Sequence, residues 1–195
     1  MAGYDDFMST GIEAAALTRL VEFVNTRRAD ADLIGTPDQL TTWLRTHDLL
    51  SVDATADRSG RDRAQRVREG LRALLADNNA EPVTSPRPDG LNPAARTELA
   101  ALTAALPLTL DVTSTPPRLI PHTDEPVDYA LATLLADVAT AVAAGSWPRL
   151  KTCREPSCRW AFYDHSRNHG RTWCSMDVCG NRVKVRASHR RNAAR

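Results

Sequence analysis

The sequence predicts an α+β protein. Residues 1–148 read as a mainly helical N-terminal domain with a small β-hairpin, and residues 149–195 as a treble-clef-like module. Three observations carry this. Apolar residues recur at helical spacing in five stretches before residue 148. A stretch at 107–112 alternates with period two instead. All four cysteines fall after residue 150, in two equally spaced pairs.

Residues 11–26 place Ile12, Ala16, Leu20, Phe23 and Val24 on one helical stripe, closed by Asn25 and Thr26, which read as a cap or turn. Thr36, Pro37 and Gln39 form a capping-box start for a helix to about Leu50, with Leu40, Trp43, Leu44 and His47 on one side. His47 reads as a satisfied or exposed side chain. The next helix spans about 57–78, with Ala64, Val67, Leu71, Leu74 and Leu75 inward. Its run of Arg58, Arg61, Arg63, Arg66, Arg68 and Arg72, interspersed with Asp57, Asp62 and Glu69, reads as a solvated face laced by helical ion pairs. Residues 81–90 are a proline-rich loop, and a helix follows to about Ala105. Residues 107–112 and 118–122 pair as a hairpin, with Pro121 confining the second strand to an edge. The last body helix runs from about Asp124 to Ala144, its expected core residues being Leu131, Leu134, Leu135, Val138 and Val142. Residues 146–148 are the hinge.

The cysteine pattern is Cys153-x4-Cys158, fifteen residues, then Cys174-x4-Cys179. Two short loops with two thiolates each are the spacing of a structural, tetrahedral zinc site, so one Zn2+ per chain is expected. Residues five apart lie on roughly opposite faces of a helix, so Cys174 must precede the helix that starts near Cys179. Residues 171–174 are expected to form a strand that hairpins with 159–163. Trp160, Phe162 and Trp173 are expected to pack over the site. The competing reading is two disulfides. Four cysteines gathered in one metal-like motif favour instead a reducing, cytoplasmic setting. The finger is expected to depend on its metal, while the body helices pack separately.

The composition, 42% hydrophobic and 25% charged, suits a soluble protein with a core. No apolar run approaches the roughly 20 residues of a membrane span, and residues 1–6 lack a basic signal region. Net charge is +1, but its distribution is uneven. Residues 151–195 hold eleven Lys/Arg against three acids, and the remainder holds fourteen against twenty-one. A basic tail on an acidic body is a nucleic-acid-binding pattern.

The finger resembles the CGNR zinc-finger family in its Cys158-x-Trp-x-Phe-Tyr-Asp-x-Ser-Arg-Asn, Arg171-x-Trp-Cys-Ser-Met and Cys179-Gly-Asn-Arg182 motifs. The segment LVEFVNT at 20–26 is similar to the ABATE domain that precedes this finger in stress-induced transcription regulators, with Glu22 where that family usually shows Asp. The resemblance implies a DNA-binding regulator.

Arg182, Arg186 and Arg190 share one stripe of the C-terminal helix, with Lys184 and Arg191 on a neighbouring one. Arg167 and Arg171 on the polar hairpin add to the expected nucleic-acid surface. Arg182, nearest the metal, is expected to engage Asp164 or Asp177. Duplex DNA is the expected partner; a small-molecule effector of the N-terminal domain and a homodimer are compatible with it, and no membrane is involved. No phosphate loop, nucleophile elbow or His-Glu-x-x-His signature occurs. His165, Asn168 and His169 could suit a nuclease, but the helix opposite supplies cations that would repel a second metal. An enzyme is not expected. The alternative function is a zinc-stabilised protein-interaction module.

Overall fold

The computed structural model describes residues 11–28, 30–79, 92, 94–182, 184 and 185. Helix α1 (Gly11–Val24) is followed by α2 (Pro37–Thr46), where Thr36 forms the capping box with Gln39. Helix α3 (Arg58–Asp77) starts at Asp57, whose carboxylate accepts from the Gly60 amide at 2.6 Å. Helix α4 (Ala95–Thr103) packs against α3. The hairpin β1 (Leu108–Asp111) and β2 (Arg118–Pro121) is antiparallel, with Thr109 opposite Ile120. Helix α5 (Pro126–Ala143) is capped by the Glu125 carboxylate, which accepts from the Asp128 amide at 2.6 Å.

The core gathers one face from each helix. Leu20, Phe23, Leu44, Leu71, Leu75, Leu131 and Leu134 are all fully buried. Helix α3 approaches α4 so closely that a Cβ on Gly70 would sit 2.5 Å from the Leu99 Cβ. Contrary to the sequence expectation, α5 is long and apolar enough to cross a bilayer on length and hydropathy alone. Its apolar face instead lies in the core against α1, and its buried Asp137 is gripped by Arg19 through two contacts of 2.8 Å.

Several expectations are corrected. Val142 and Ile12 are exposed, because the buried face of α5 ends on Ala141 and that of α1 begins at Ala16. The arginine face of α3 is not solvated throughout: Arg68 is 3% and Arg72 is 4% exposed. Glu69 of the same helix meets both, 2.9 Å from Arg68 and 3.4 Å from Arg72, as helical ion pairs were expected to do, but the burial comes from partners outside the helix. Arg68 reaches the loop residue Asp32 at 2.6 and 3.0 Å, and Arg72 donates to the Val24 carbonyl.

After a single 3-10 turn (Trp147–Arg149) the chain forms β3 (Leu150–Thr152), which pairs antiparallel with β4 (Ala161–Tyr163). The expected pairing of 159–163 with 171–174 does not form. The backbone of 171–174 has other partners: the Thr172 carbonyl accepts from the Arg154 amide at 3.2 Å and from the Asn79 side chain at 2.9 Å. The cysteine turn thus becomes the loop of the β3–β4 hairpin.

This hairpin is fused to the helical body. Leu150 and Ala161 belong to the same core as α1, α3 and α5, so the body does not pack separately from the finger. Asn25 donates to the Ala161 carbonyl at 3.0 Å and accepts from its amide at 2.8 Å, completing the β4 edge as a strand would. Asn78 donates to the carbonyls of Trp147 and Leu150, and Asn79 to those of Thr152 and Thr172.

Candidate metal centre and nucleic-acid interface

The metal centre is built from two turns. In the first, Pro156 and Ser157 reverse the chain between Cys153 and Cys158, and the Glu155 carbonyl accepts from the amides of Cys158 (2.9 Å) and Arg159 (3.2 Å). The reversal closes with Arg159 in the left-handed region, at φ 53°. The Glu155 side chain, itself buried, accepts from the Ser157 hydroxyl at 2.8 Å. In the second turn, Ser175 caps a π-helical turn (Met176–Gly180) by accepting from the Val178 amide at 3.2 Å. Cys174 precedes that turn and Cys179 lies within it, as the five-residue spacing requires.

All four sulfurs lie within 4.8 Å of one another. Cys174 Sγ is 3.6 Å from Cys158 Sγ and 3.7 Å from Cys179 Sγ. A tetrahedron with metal–sulfur bonds of about 2.3 Å has edges of roughly 3.8 Å, so the cluster fits one Zn2+. The four cysteines are free thiols, not disulfides. Burial, then the neighbouring cysteines, pushes the Cys179 thiol up to about 12 and the Cys174 thiol well above its ordinary range. A divalent cation reverses that balance by compensating the thiolate charge. Cys153 and Cys179 are buried with Phe162, and Trp173 packs against them. Trp160 departs from the expected role: it is 38% exposed, with the Arg28 guanidinium 5.8 Å from its ring.

The loop between the cysteine pairs is organised by Asp164, which is fully buried. It accepts from Lys151 Nζ at 2.7 Å, from the Ser166 hydroxyl at 2.6 Å and amide at 2.9 Å, and from the Arg171 amide at 3.0 Å. Burial alone would raise its pKa. The Lys151 and Ser166 contacts and the Arg171 amide outweigh that and hold the carboxyl well below its usual range. Lys151 also donates to the His169 carbonyl. Sequence reasoning missed this pair, because period-two alternation in a three-residue strand is too short to flag a buried lysine. His165 packs edge-on against Tyr163.

The ABATE profile, described as "Putative stress-induced transcription regulator", matches residues 18–145, well over half of the chain. The chain belongs to the ABATE family. A CGNR zinc finger profile matches residues 149–192 of this ABATE protein. No curated protein matches the chain. Each residue of the CGNR motif has a physical role or position here. Cys179 is in the sulfur cluster. Gly180 is buried, and a Cβ there would meet the Met176 sulfur at 3.0 Å. Asn181 donates to the Asp177 carbonyl at 3.0 Å, tightening the helical turn. Arg182 follows it and is exposed.

The expected nucleic-acid residues of the ABATE protein divide into three groups. Arg182, Lys184 and Arg167 are exposed. Arg171 is half-buried and serves the finger itself: its guanidinium donates to the Trp173 and Cys174 carbonyls and lies 5.0 Å from the Phe162 ring. Arg186, Arg190 and Arg191 lie outside the described residues. The expected pairing of Arg182 with Asp164 is not found, since Lys151 holds that carboxylate, and among the described residues Arg182 has no ion pair.

Proposed function

We propose that this ABATE protein is a zinc-dependent DNA-binding regulator whose finger contacts duplex DNA and whose helical body senses a ligand or mediates assembly. The observation that carries the reading is the charge separation: net +8 over residues 151–195 and −7 over the remainder. Arg182 and Lys184 are exposed and follow directly on the turn that carries Cys179, so a metal bound there would fix the base of the segment that bears them. A helix presenting rigid cations suits phosphate contact and entry into a major groove. The family description as a transcription regulator supports the same reading.

The test is anisotropy of a labelled duplex against the zinc-loaded chain over a range of salt. Affinity should fall steeply with salt, and Arg182→Ala with Lys184→Ala should flatten the log–log slope by about two, at roughly 0.9 per phosphate contact. An unchanged slope would move the surface elsewhere. A second reading, a protein-interaction finger, is favoured by Val178 and Val185, each about half exposed and lining one shallow groove with Arg182. Duplex affinity that is absent at low salt would leave that reading standing.

A further inference from the structure

The loop after α1, helices α3 and α4, and the turn between Cys153 and Cys158 enclose an open cavity of about 710 Å³. Six arginines line it: Arg27, Arg28, Arg66, Arg68, Arg72 and Arg159. Four acids, Asp32, Asp62, Glu69 and Glu98, also line it, so cations are in excess.

The acids are unevenly used. Asp32 takes Arg68 in a two-pronged pair and reaches Arg27 at 3.5 Å. Glu69 accepts from Arg68 Nε at 2.9 Å. Asp62 lies against Arg61 at 3.1 Å. Arg68 is therefore satisfied, and Arg72 is not. The Arg72 side chain is 5% exposed, and its Nε, 3.4 Å from Glu69, makes no hydrogen bond. A buried guanidinium N–H without an acceptor is costly. Burial, with the charges of Arg68, Arg159 and Arg27, holds this guanidinium below its ordinary range despite Glu69. Among the described residues Arg66 and Arg159 have no ion pair. Arg159 is fixed by its left-handed backbone and by donation from its Nε to the Pro156 carbonyl at 3.1 Å.

We propose that this cavity binds a small anion bearing phosphate or paired carboxylate groups, held by Arg66 and Arg72 of α3 and Arg159 of the metal turn. Guanidinium forks match two-oxygen groups, and the volume is that of a small-molecule site. The recessed Arg72 favours a compact ligand over a duplex, whose phosphates would meet the exposed Arg27, Arg28 and Arg66 first. This deepens the reading of the body as a sensing half. Arg159 adjoins Cys158, so the occupant touches the helical body and the metal turn together.

The experiment is calorimetric titration of the full zinc-loaded chain with pyrophosphate and with citrate, against sodium chloride of matched ionic strength. Saturable one-site binding of at least one probe is expected. It should weaken about tenfold in Arg66→Gln and again in Arg159→Gln. These variants avoid Arg72, which also holds the Val24 carbonyl and whose loss could unfold the chain. Heats no larger than those of chloride, or equal affinity in both variants, would overturn the proposal. So would a result in which the variants lower duplex affinity while neither probe binds, since the cavity would then serve DNA phosphates. Anion binding without any duplex binding would uphold the cavity and remove only the DNA reading.

Discussion

Asp164 shows how much one side chain decides in a finger this small. Its carboxylate joins β3, through Lys151, to the loop that leads to Cys174. Removing one partner of a buried pair leaves the other charge uncompensated. Asp164→Asn is expected to destabilise the chain by about 3 kcal/mol in urea melts, and Asp164→Leu with Lys151→Met to recover little of that, because the amides of Ser166 and Arg171 lose their acceptor. The pKa of Asp164 is depressed in the folded state. The pair therefore contributes fully above the ordinary carboxylate value of about 3.9 and is lost as pH falls towards the depressed one. The acid limb of a stability–pH curve should flatten in Asp164→Asn; an unchanged limb would mean the pair adds nothing. Asn25 has a comparable role at the other side of the sheet. It satisfies both backbone groups of a buried residue, Ala161. Asn25→Ala should cost about 2 kcal/mol, measured the same way, and Asn25→Asp should rescue little because it cannot donate to the carbonyl.

Elements meet here in ways their own periodicity does not reveal. Helices α3 and α4 depend on Gly70, the one residue without a side chain on the face that meets Leu99. Gly70→Ala must push the helices apart, and the gain in helix propensity of about 1 kcal/mol should be outweighed by the clash, for a net loss of roughly 1–2 kcal/mol. A melting temperature raised by this substitution would contradict the close approach. The β3–β4 hairpin likewise belongs to two units at once: Leu150 and Ala161 fill the helical core, while the intervening turn holds Cys153 and Cys158. Cys174→Ser should lose the zinc in elemental analysis. Because the finger's strands lie in the body's core, calorimetry should show one transition lowered as a whole rather than an intact body with a melted finger. Two well-separated transitions would show that the joint is weaker than its contacts.

Over the whole molecule, charge and core are distributed by different rules. The excess basic charge lies in the final stretch, and the sensing cavity proposed here lies where that stretch folds back on α3. The five helices, the Thr36 capping box and the 107–122 hairpin were legible in the sequence, whereas the caps at Asp57 and Glu125 came only with the structure. Helical spacing marks faces such as Leu20–Phe23–Val24, and a capping residue such as Thr36 acts within three residues of itself, on Gln39. The sulfur cluster was legible for a related reason: thiolates at that spacing have few other uses, and a five-residue gap dictates which cysteine precedes the helix.

What the sequence determined by itself is thus local: period, capping and ligand spacing. The partner of β4, the burial of Arg68 and Arg72, and the Asn25 clasp were decided only by the tertiary structure. Each depends on a group distant in the chain: Leu150 rather than Thr172, Asp32 in addition to the helical neighbour Glu69, Ala161 across 136 residues. A polar side chain looks the same in sequence whether water or a remote backbone satisfies it. The fold chooses between them, because a buried polar group must find a partner wherever the packing brings one.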